Sequence, residues 1–552
     1  MNNFYLEDQQ LQRLVKRYLP PDFFTWANKQ LDDFGAHCAG AISERAVHTD
    51  RNGEPRLIQY DKFGNEISKV WVNEGYQKTV QETYNTGIVG YIHKDIPELG
   101  HKGNYVYAFT QGYLLSQAEA GFYCPVTLTK ATAYLLDRYA TEAIKQRFLP
   151  HVLATGEEEL YEGATFLTER QGGSDVGANE VKAEQAGSYY QLTGEKYFAS
   201  NAGTCGVAMV LARTTGGAPG TKGLSLFAVP WEENRVNGKL RIRRLKDKLG
   251  VRAVPSAEVE FSQAKGYLVG ELHQGFSYMI EALNLSRVAN AVASVGMMRR
   301  AYTEAKAYAN NRKAFDKQLT DFPMVRETLS TMGAIQEIGL STMFTVINLM
   351  DQVMGGEQRA SFKEQILFRL YVAIMKKETA EQAIHFAHEA IEMHGGNGYI
   401  EDFITPRLLR DAQVLTVWEG TANILGIEVI RLISKYQADE LFINDMTKRL
   451  QTAKKESPLD EKIIHFVKQG IDQLKAEINQ WKALNPDLQT YYSKRISDNM
   501  TRILTSVIAV EQTVTHEERQ VAIAEVFLHH SWNDEEISDQ PAPLKHFSKI
   551  VE

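Results

Sequence analysis

Cysteine is scarce in this chain of 552 residues, which contains three of them. Cys38, Cys124 and Cys205 lie far apart in the sequence, and their number is odd. A disulfide framework needs paired cysteines, and a zinc site of the CxxC kind needs closely spaced ones. The sequence therefore argues against both, and it favours a reducing compartment.

Long hydrophobic runs and a strong excess of one charge are also lacking. No segment approaches the roughly 20 apolar residues that span a bilayer. The N-terminal stretch MNNFYLEDQQLQRLVKRYLP contains acids and no continuous apolar core, unlike a signal or transit peptide. The formal net charge is −8, which gives no whole-chain attraction to nucleic acid or to an anionic membrane. These absences predict a cytoplasmic protein without a membrane span.

Motifs for nucleotide and metal binding are incomplete. No GxGxxG follows a predicted strand, so a Rossmann domain is unsupported. The segment GGAPGTKG (216–223) lacks the lysine spacing of a P-loop and is typical of a flexible hairpin loop. His385, His388 and His394 are close in sequence, but no acidic or cysteine partner completes a ligand set. We therefore predict no metal site.

The hydrophobic content of 43% suffices for a large core, and its periodicity changes along the chain. Residues 1–165 are predicted to be mainly helical, since apolar residues recur every three or four positions in segments such as SKVWVNEGYQKTVQETY (68–84). Residues 166–272 hold short β-type runs between glycine and proline signals. Helical periodicity returns over residues 273–436. The predicted fold class is mainly α with a central β-domain.

Residues 437–552 are predicted to form an appended helical bundle. In SPLDEKIIHFVKQGIDQLKAEINQW (457–481), Ser457 is the expected N-cap and Pro458 the first helical residue. Apolar residues at steps of three and four then form one seam, for which RISDNMTRILTSVIAVEQTV (495–514) is the expected partner helix. The seam consists of Ile463, Val467, Ile471, Leu474, Ile478 and Trp481.

Two segments of the predicted β-domain carry candidate binding chemistry. KLRIRRLKDKLGVR (239–252) places its basic residues on one face of a ribbon, which is typical of a solvated or intersubunit face and is also compatible with a phosphate-rich ligand. In TERQGGSDVG (168–177) the glycines permit close backbone approach, and Thr168 and Ser174 can hydrogen-bond a planar polar ligand. Taken alone, this second segment could equally be an ordinary turn.

Five segments of the sequence, taken together, resemble a known family. In chain order they are ATFLTERQGGSDVGANEVKAE, YQLTGEKYFASNAG, NNRKAF, EMHGGNGY and RDAQVLTVWEGTANI. Their order and spacing resemble the acyl-CoA dehydrogenase family over about residues 85–436. The resemblance implies an α/β/α three-domain architecture, followed here by the C-terminal helical bundle. The long N-terminus, the basic ribbon and the appended helices resemble the branch that contains the alkylation-response protein AidB.

The segment TVWEGTAN (416–423) sets one carboxylate, Glu419, between an aliphatic-aromatic run and a glycine. The resemblance implies that Glu419 removes the α-proton of an acyl-CoA thioester while flavin N5 accepts the β-hydride, giving the trans-2-enoyl-CoA. An apolar wall would raise the proton affinity of such a carboxylate towards that of the carbon acid. Some branches carry the base just before an arginine on an earlier helix. Here Ser286 precedes Arg287, and serine cannot be that base.

The resemblance also implies FAD as cofactor and an oligomer that shares it between subunits, a homodimer or a homotetramer. The chain departs from the family pattern at Asp316, where a glycine is usual, and at Asn423, which replaces a common glutamine. The implied substrate-binding residues are Ser174, Arg287 and Gly420. The implied cofactor-binding residues are Phe166, Thr168, Ser174, Phe198, Ser200, Arg312, Phe315, Gly395, Gly396, Thr421 and Asn423.

The expected partners are an acyl-CoA and an acceptor such as an electron-transfer flavoprotein, in fatty acid β-oxidation. One alternative is an acyl-CoA oxidase, which shares the base and the flavin but lets oxygen reach the reduced ring. Another is an AidB-like flavin-containing protein associated with DNA. Duplex binding needs a basic footprint, and residues 439–552 contain 14 lysines and arginines against 19 aspartates and glutamates. Nucleic acid is therefore not an expected partner. A non-catalytic scaffold without flavin is the third alternative.

Overall fold

Residues 2–355, 360–532 and 539–551 are described by the computed structural model. The chain divides into two compact units, residues 1–289 and residues 290–552. In these described ranges no helix is both long enough and apolar enough to cross a membrane. The cysteines Cys38, Cys124 and Cys205 are all free thiols.

The first unit begins with a mainly helical region whose fifth and sixth helices are largely buried. Every one of the 14 residues of the fifth helix is buried, because its sequence YVYAFTQGYLLSQA carries no charged face and so can only lie in a core. The helices of this unit are α1 (Gln9–Tyr18), α2 (Pro21–His37), α3 (Ser43–Arg51), α4 (Glu74–Tyr84), α5 (Tyr105–Ala118), α6 (Ala120–Tyr139), α7 (Glu142–Val152) and α8 (Trp231–Val236), with the start of α9 (Gly275–Asn311).

The helical prediction was wrong at residues 68–71. Strands β1 (Arg56–Tyr60) and β2 (Glu66–Trp71) form an antiparallel hairpin, and α4 begins only after Asn73, whose side chain caps it by accepting from the Tyr76 N–H. Exposure alternates along the end of β2, as the two-residue period of a strand requires. Val70 packs into the β-domain core, so tertiary burial overrides the helical spacing of this short run.

The predicted central β-domain is confirmed as a seven-stranded sheet. Its strands follow the order β10–β11–β7–β6–β8–β5, and β9 pairs with both β8 and the far end of β11. Strands β11, β7, β6, β8 and β9 therefore close into a ring. The strands are β5 (Gly163–Phe166), β6 (Lys182–Ala186), β7 (Tyr189–Ser200), β8 (Val207–Thr214), β9 (Leu224–Pro230), β10 (Leu240–Leu245) and β11 (Ser256–Val269); β3 (Asp95–Ile96) and β4 (His101–Lys102) form a separate short pair.

Apolar side chains fill the inside of this ring. Phe166 is fully buried and meets the Trp231 ring edge-on, with ring centroids 6.2 Å apart. Leu192, Phe227 and Val259 belong to the same cluster and have no exposed surface. Complete burial of such side chains stabilises the fold by about 1.5–3 kcal/mol each, so the strand ends above this core are held firmly.

The second unit is helical apart from one small hairpin, β12 (Lys313–Ala314) and β13 (Lys317–Gln318). It contains the end of α9, whose 37 residues match the long periodic pattern seen in the sequence. The other helices are α10 (Pro323–Met350), α11 (Phe362–His394), α12 (Thr405–Leu415), α13 (Ala422–Tyr436), α14 (Ala438–Lys454), α15 (Glu461–Lys482), α16 (Pro486–Tyr491), α17 (Ser493–Gln512), α18 (Glu518–Trp532), α19 (Ala542–Lys545) and α20 (Phe547–Val551).

The C-terminal seam is confirmed, but its helix begins later than predicted. Asp460 is the N-cap of α15 and accepts from the Lys462 N–H, so Ser457 and Pro458 precede the helix. An aspartate oxygen caps as well as a serine oxygen, and Ser457 instead hydrogen-bonds Thr513. All six seam residues are buried, and α15 packs against the predicted partner α17.

Helices after residue 436 also pack against the helices before it. Helix α17 contacts α11 and α13, and α18 contacts α10. Arg519 of α18 makes two 2.6 Å hydrogen bonds to the carboxylate of Glu337 in α10, whose side chain is 2% exposed. The boundaries predicted at residues 165, 272 and 436 stay predictions.

Candidate functional site

Glu419 lies in a tight turn between α12 and α13. The turn runs from Leu415, the last residue of α12, to Thr421, the residue before α13. Glu419 is half-buried, and its backbone is left-handed, with φ of 60°. Gly420 continues in the positive region with φ of 106°. A left-handed residue with a side chain costs about 1–2 kcal/mol, so the surrounding structure must hold this turn in place.

Two buried side chains hold the turn. Lys376 of α11 is 1% exposed, and its Nζ donates to the Gly420 carbonyl over 2.7 Å. Asn290 of α9 is 6% exposed, and its Nδ2 donates to the Leu415 carbonyl over 3.2 Å. The sequence reasoning missed both residues. For Lys376 the available signal was the pair of lysines at the end of the mostly apolar stretch ILFRLYVAIMKK, since a lysine inside an apolar run must find a partner.

Thr421 and Asn423 follow the base and are both exposed. Thr421 is the N-cap residue of α13, but its side chain makes no capping hydrogen bond. Both side chains thus present polar groups at the start of a helix, where the backbone N–H groups carry partial positive charge. Their assignment to cofactor binding stays a prediction.

The predicted cofactor residues of the β-domain gather at the ends of β5 and β7. The Tyr197 N–H donates to the Thr168 carbonyl over 2.9 Å, which sets Thr168 beside the β7 segment that carries Phe198 and Ser200. Phe198 is 55% exposed, whereas Thr168 and Ser200 are half-buried. The Ser200 hydroxyl lies 3.2 Å from that of Ser256. An exposed phenyl ring between two hydroxyl-bearing residues is a suitable surface for a flat polar ligand.

Phe166 and Ser174 differ from these residues in their surroundings. Phe166 is fully buried in the core of the β-domain, and its assignment to cofactor binding stays a prediction. Ser174 is exposed on the loop between β5 and β6. Arg287 of α9 is half-buried and donates to the Asn284 side chain over 3.3 Å, while Ser286 is buried.

A buried ion pair supports the loop that carries Thr168 and Ser174. Lys196 is fully buried, and its Nζ donates to Glu169 over 2.8 Å and to the Leu167 carbonyl over 3.2 Å. Glu169 in turn accepts from the Glu180 N–H over 2.6 Å. Burial lowers the pKa of Lys196 to about 8, against the raising influence of Glu169. The loop is thus fixed at both ends by one carboxylate.

Arg312, Phe315, Gly395 and Gly396 belong to the second unit. Phe315 and Asp316 form the two-residue turn between β12 and β13, and both have positive φ, of 50° and 62°. Such a turn favours glycine but accepts aspartate, so Asp316 replaces the family's glycine without loss of the hairpin. Phe315 is 89% exposed.

Gly395 and Gly396 lie near the same end of α9. The Asn397 Nδ2 donates to the Tyr308 hydroxyl over 3.1 Å, and the Arg312 N–H donates to the Tyr308 carbonyl over 2.9 Å. A Cβ atom added at Gly395 or Gly396 would meet nothing within 4 Å. This open space beside the main chain leaves room for a ligand or for a second chain.

The residues present fit FAD in their chemistry. The exposed Phe198 ring and the hydroxyls of Thr168 and Ser200 suit the flat, hydrogen-bonding flavin. Arg312 is exposed and can pair with a phosphate, and the glycine main chain at Gly395 admits close approach.

Part of the positive charge of the basic ribbon is paired with carboxylates. Arg241 pairs with Glu260 at 2.6 Å, and Arg244 and Lys246 pair with Glu258 at 2.9 and 2.6 Å. Two carboxylates on β11 therefore offset part of the charge of β10. Internal ion pairs of this kind favour the solvated face over a phosphate-rich ligand.

The three histidines do not form a metal site. His385 and His388 are exposed on α11 and face Glu389 and Glu392 at 3.9 and 3.7 Å. His394 is buried, and its Nδ1 lies 2.7 Å from the Ala390 carbonyl oxygen. Across the described residues, no cluster of three or more histidine, cysteine or acidic side chains could hold a metal ion.

Because Glu162, just before β5, is buried, the stability of the fold should depend on pH. Burial raises the pKa of Glu162 to about 8, partly offset by the hydrogen bond from the Tyr84 hydroxyl. Because the folded pKa is raised, this group's stabilisation is complete below its ordinary value of 4.5 and is lost as pH rises through about 8. Over that window it should lower the free energy of unfolding by about 1.4 kcal/mol per pH unit.

Glu162→Gln should remove this contribution, because the amide stays neutral at every pH. We expect the variant to gain stability relative to the parent as pH rises, measured by denaturant unfolding between about pH 5 and about pH 8. Equal pH slopes for the two proteins would show that Glu162 does not titrate in this window.

Comparison with known proteins assigns the chain to a family. The profile "Adaptive response protein AidB N-terminal domain" matches residues 1–158, "Acyl-CoA dehydrogenase, middle domain" matches residues 164–264, and "Acyl-CoA dehydrogenase, C-terminal domain" matches residues 273–433. Acyl-CoA dehydrogenase family member 11 of Caenorhabditis elegans is 30% identical over 79% of this chain and 71% of its own length. The putative acyl-CoA dehydrogenase AidB of Escherichia coli is 31% identical over 79% of this chain and 78% of its own.

A solved structure agrees with these relatives. Caenorhabditis elegans ACDH-11 in complex with C11-CoA superposes with a TM-score of 0.87 at 25% identity, covering 98% of this chain and 92% of that one. The similarity thus extends through the N-terminal segment and the C-terminal helices as well as the three matched domains. The chain belongs to the acyl-CoA dehydrogenase family and is an FAD-dependent oxidoreductase, in which an AidB-type N-terminal domain is followed by acyl-CoA dehydrogenase middle and C-terminal domains.

Proposed function

We propose that this protein dehydrogenates an acyl-CoA thioester between Cα and Cβ to give the trans-2-enoyl-CoA. The observation that carries the proposal is the turn of Glu419, a half-buried carboxylate in a left-handed conformation held by buried side chains. Backbone strain that neighbours actively maintain is typical of functional positions. Membership of the family gives that position its chemistry, and the complex of ACDH-11 with C11-CoA supports an acyl-CoA as the substrate class.

Glu419 acts as the base in this proposal. An α-proton beside a thioester is only moderately acidic, so its removal needs a positioned base and donors for the developing enolate oxygen. The Glu419 carboxylate takes the α-proton, and its backbone N–H serves as one donor to that oxygen. Gly420 lacks a side chain, so the acyl group can lie close to the main chain. The chemistry that FAD supplies when bound is acceptance of the β-hydride at N5.

The proposed binding residues form one set for the flavin and one set for the acyl-CoA. The flavin would be held at Phe166, Thr168, Ser174, Phe198 and Ser200, with Thr421 and Asn423 beside the base. Ser174 and Arg287 would contact the acyl-CoA as well. Hydroxyl, amide and guanidinium donors are the groups that a flavin ring and a phosphate-bearing thioester require.

We further propose a homodimer or homotetramer that works in fatty acid β-oxidation in the cytoplasm. Phe315 is 89% exposed at a hairpin tip, and the neighbouring Arg312, Gly395 and Gly396 are exposed as well. A large exposed aromatic beside a cation suits a cofactor held by a second copy of the chain. The proposed electron acceptor is an electron-transfer flavoprotein or a similar carrier.

Association with DNA is not favoured. Glu258 and Glu260 offset part of the charge of the basic ribbon, and the C-terminal segment carries more acids than bases. Both features work against the phosphate contacts that duplex binding requires. The similarity to AidB therefore supports a shared architecture more than a shared nucleic-acid partner.

An anaerobic titration tests the proposal. We expect saturated acyl-CoA thioesters, added in a series from short to long chains, to bleach the flavin absorbance band of the purified protein. Free CoA, which has no Cα–Cβ bond to oxidise, is the matched control and should leave the band unchanged. Absence of bleaching at every chain length would refute the dehydrogenation. Peroxide formed in air without an added acceptor would assign the protein to the oxidases instead.

A further inference from the structure

The turn of Glu419 raises the question of what prevents it from relaxing. We propose that Lys376 is a positioning residue that holds the base in its strained conformation through the Gly420 carbonyl. This inference rests on the proposed function, in which Glu419 is the base. It adds a residue that has no assigned role in binding the cofactor or the substrate.

The geometry places the contact where it controls the base. Glu419 and Gly420 have consecutive positive φ values of 60° and 106°. The peptide after Gly420 is fixed by the Lys376 ammonium, 2.7 Å from the Gly420 oxygen. Rotation of Glu419 towards an ordinary conformation would swing this carbonyl away from the ammonium. The hydrogen bond is therefore coupled directly to the direction of the Glu419 side chain.

The burial of Lys376 indicates that this contact has a purpose beyond packing. Its side chain is 1% exposed, and an ammonium removed from water destabilises the fold unless it finds strong partners. Methionine would fill similar space without that cost. The neighbouring Lys377, 7% exposed, differs because it lies within 2.9 Å of Glu381 and 2.7 Å of Asp498. Lys377 therefore pairs with carboxylates away from the turn, and Lys376 reaches the main-chain carbonyl next to the base.

A second anchor secures the other end of the turn. The Asn290 Nδ2 donates to the Leu415 carbonyl over 3.2 Å. Within the described residues, the Asn290 Oδ1 is buried and has no hydrogen-bond partner. Residues 415–420 are thus fastened at both ends by buried side chains from α9 and α11. A short segment with fixed ends has little freedom to redirect a side chain, which is the condition for a well-placed base.

The test compares Lys376→Met with the matched variant Lys377→Met in the flavin-containing protein. We expect Lys376→Met to lower the single-turnover rate of flavin bleaching at saturating octanoyl-CoA or decanoyl-CoA by up to about 100-fold, with flavin content retained. Lys377→Met removes a similarly buried charge one residue away, and it should lower the melting temperature while the bleaching rate stays at the parent value. A purely structural role for Lys376 would give the same pattern as Lys377.

Hydrogen exchange of peptides covering residues 416–421, measured on flavin-free protein, provides a readout independent of activity. Lys376→Met should speed exchange in this turn, and Lys377→Met should not. Should Lys376→Met fail to fold, Lys376→Gln, which keeps a shorter neutral donor, takes its place. The inference would be overturned if the folded variant bleached at the parental rate and its turn exchanged hydrogen at the parental rate. Failure of the parent protein to bleach would instead refute the proposed function, and the exchange comparison would still decide whether Lys376 holds the turn.

Discussion

Glu419→Gln is expected to retain FAD and to lose its reduction by acyl-CoA, with a fall of about 100- to 10,000-fold in the bleaching rate. Glutamine has the length and shape of glutamate and tolerates the left-handed backbone at φ of 60° equally well. The turn held by Lys376 and Asn290 should therefore persist. What changes is the ability to take a proton, because the amide is not basic. Stopped-flow spectroscopy of the flavin band under anaerobic conditions measures this loss.

Glu440→Gln is the matched control for that experiment. Glu440 is an exposed acid in the first turn of α14, and its replacement makes the same chemical change away from the turn. The control should bleach at the parental rate. A Glu419→Gln protein that bleached as fast as this control would show that another group removes the α-proton. Flavin content must be equal in all three proteins, since loss of the cofactor would mimic loss of the base.

Patterns that depend on neighbouring residues could be predicted from the sequence. The long helices α9 and α11 follow from sustained three- and four-residue spacing, and the C-terminal seam from Ile463 to Trp481 is buried as predicted. The β-strands of the central domain also begin and end near glycine and proline signals. Glu419 was identified as a candidate through a shared motif, which encodes the position of a residue in a fold but not its backbone conformation.

Features that depend on tertiary contacts could not be predicted in this way. The left-handed turn of Glu419 is stabilised by Lys376 of α11, and α12 separates that helix from the turn in the sequence. The hairpin that includes Val70 forms because that side chain enters the β-domain core. Spacing within one segment carries no information about such partners. The shift of the α15 N-cap from Ser457 to Asp460 is similar, since Ser457 is engaged by Thr513 from a distant helix.

Arg519→Met is expected to destabilise the second unit by about 3 kcal/mol. The Arg519 guanidinium makes two 2.6 Å hydrogen bonds to Glu337 and a 3.1 Å bond to the Ile550 carbonyl. Glu337 is 2% exposed, so removal of the arginine leaves a buried carboxylate without its cation. Because the pair joins α18 and α20 to α10, its loss should loosen the C-terminal helices first. Denaturant unfolding measures this loss of stability, provided that the parent and the variant have equal m-values.

Arg495→Met is the matched control within the same group of helices. Arg495 pairs with Glu477 at 2.8 Å, but its side chain is 64% exposed, and water can replace the lost partner. Exposed pairs of this kind contribute about 0–1 kcal/mol, so this variant should unfold close to the parental midpoint. If both variants lost the same stability, burial of Glu337 would not be the cause.

The double variant Arg519→Met, Glu337→Met provides the converse check. It removes the buried charge together with its partner and should recover much of the loss, because apolar pairs of similar volume can replace a buried ion pair with little cost.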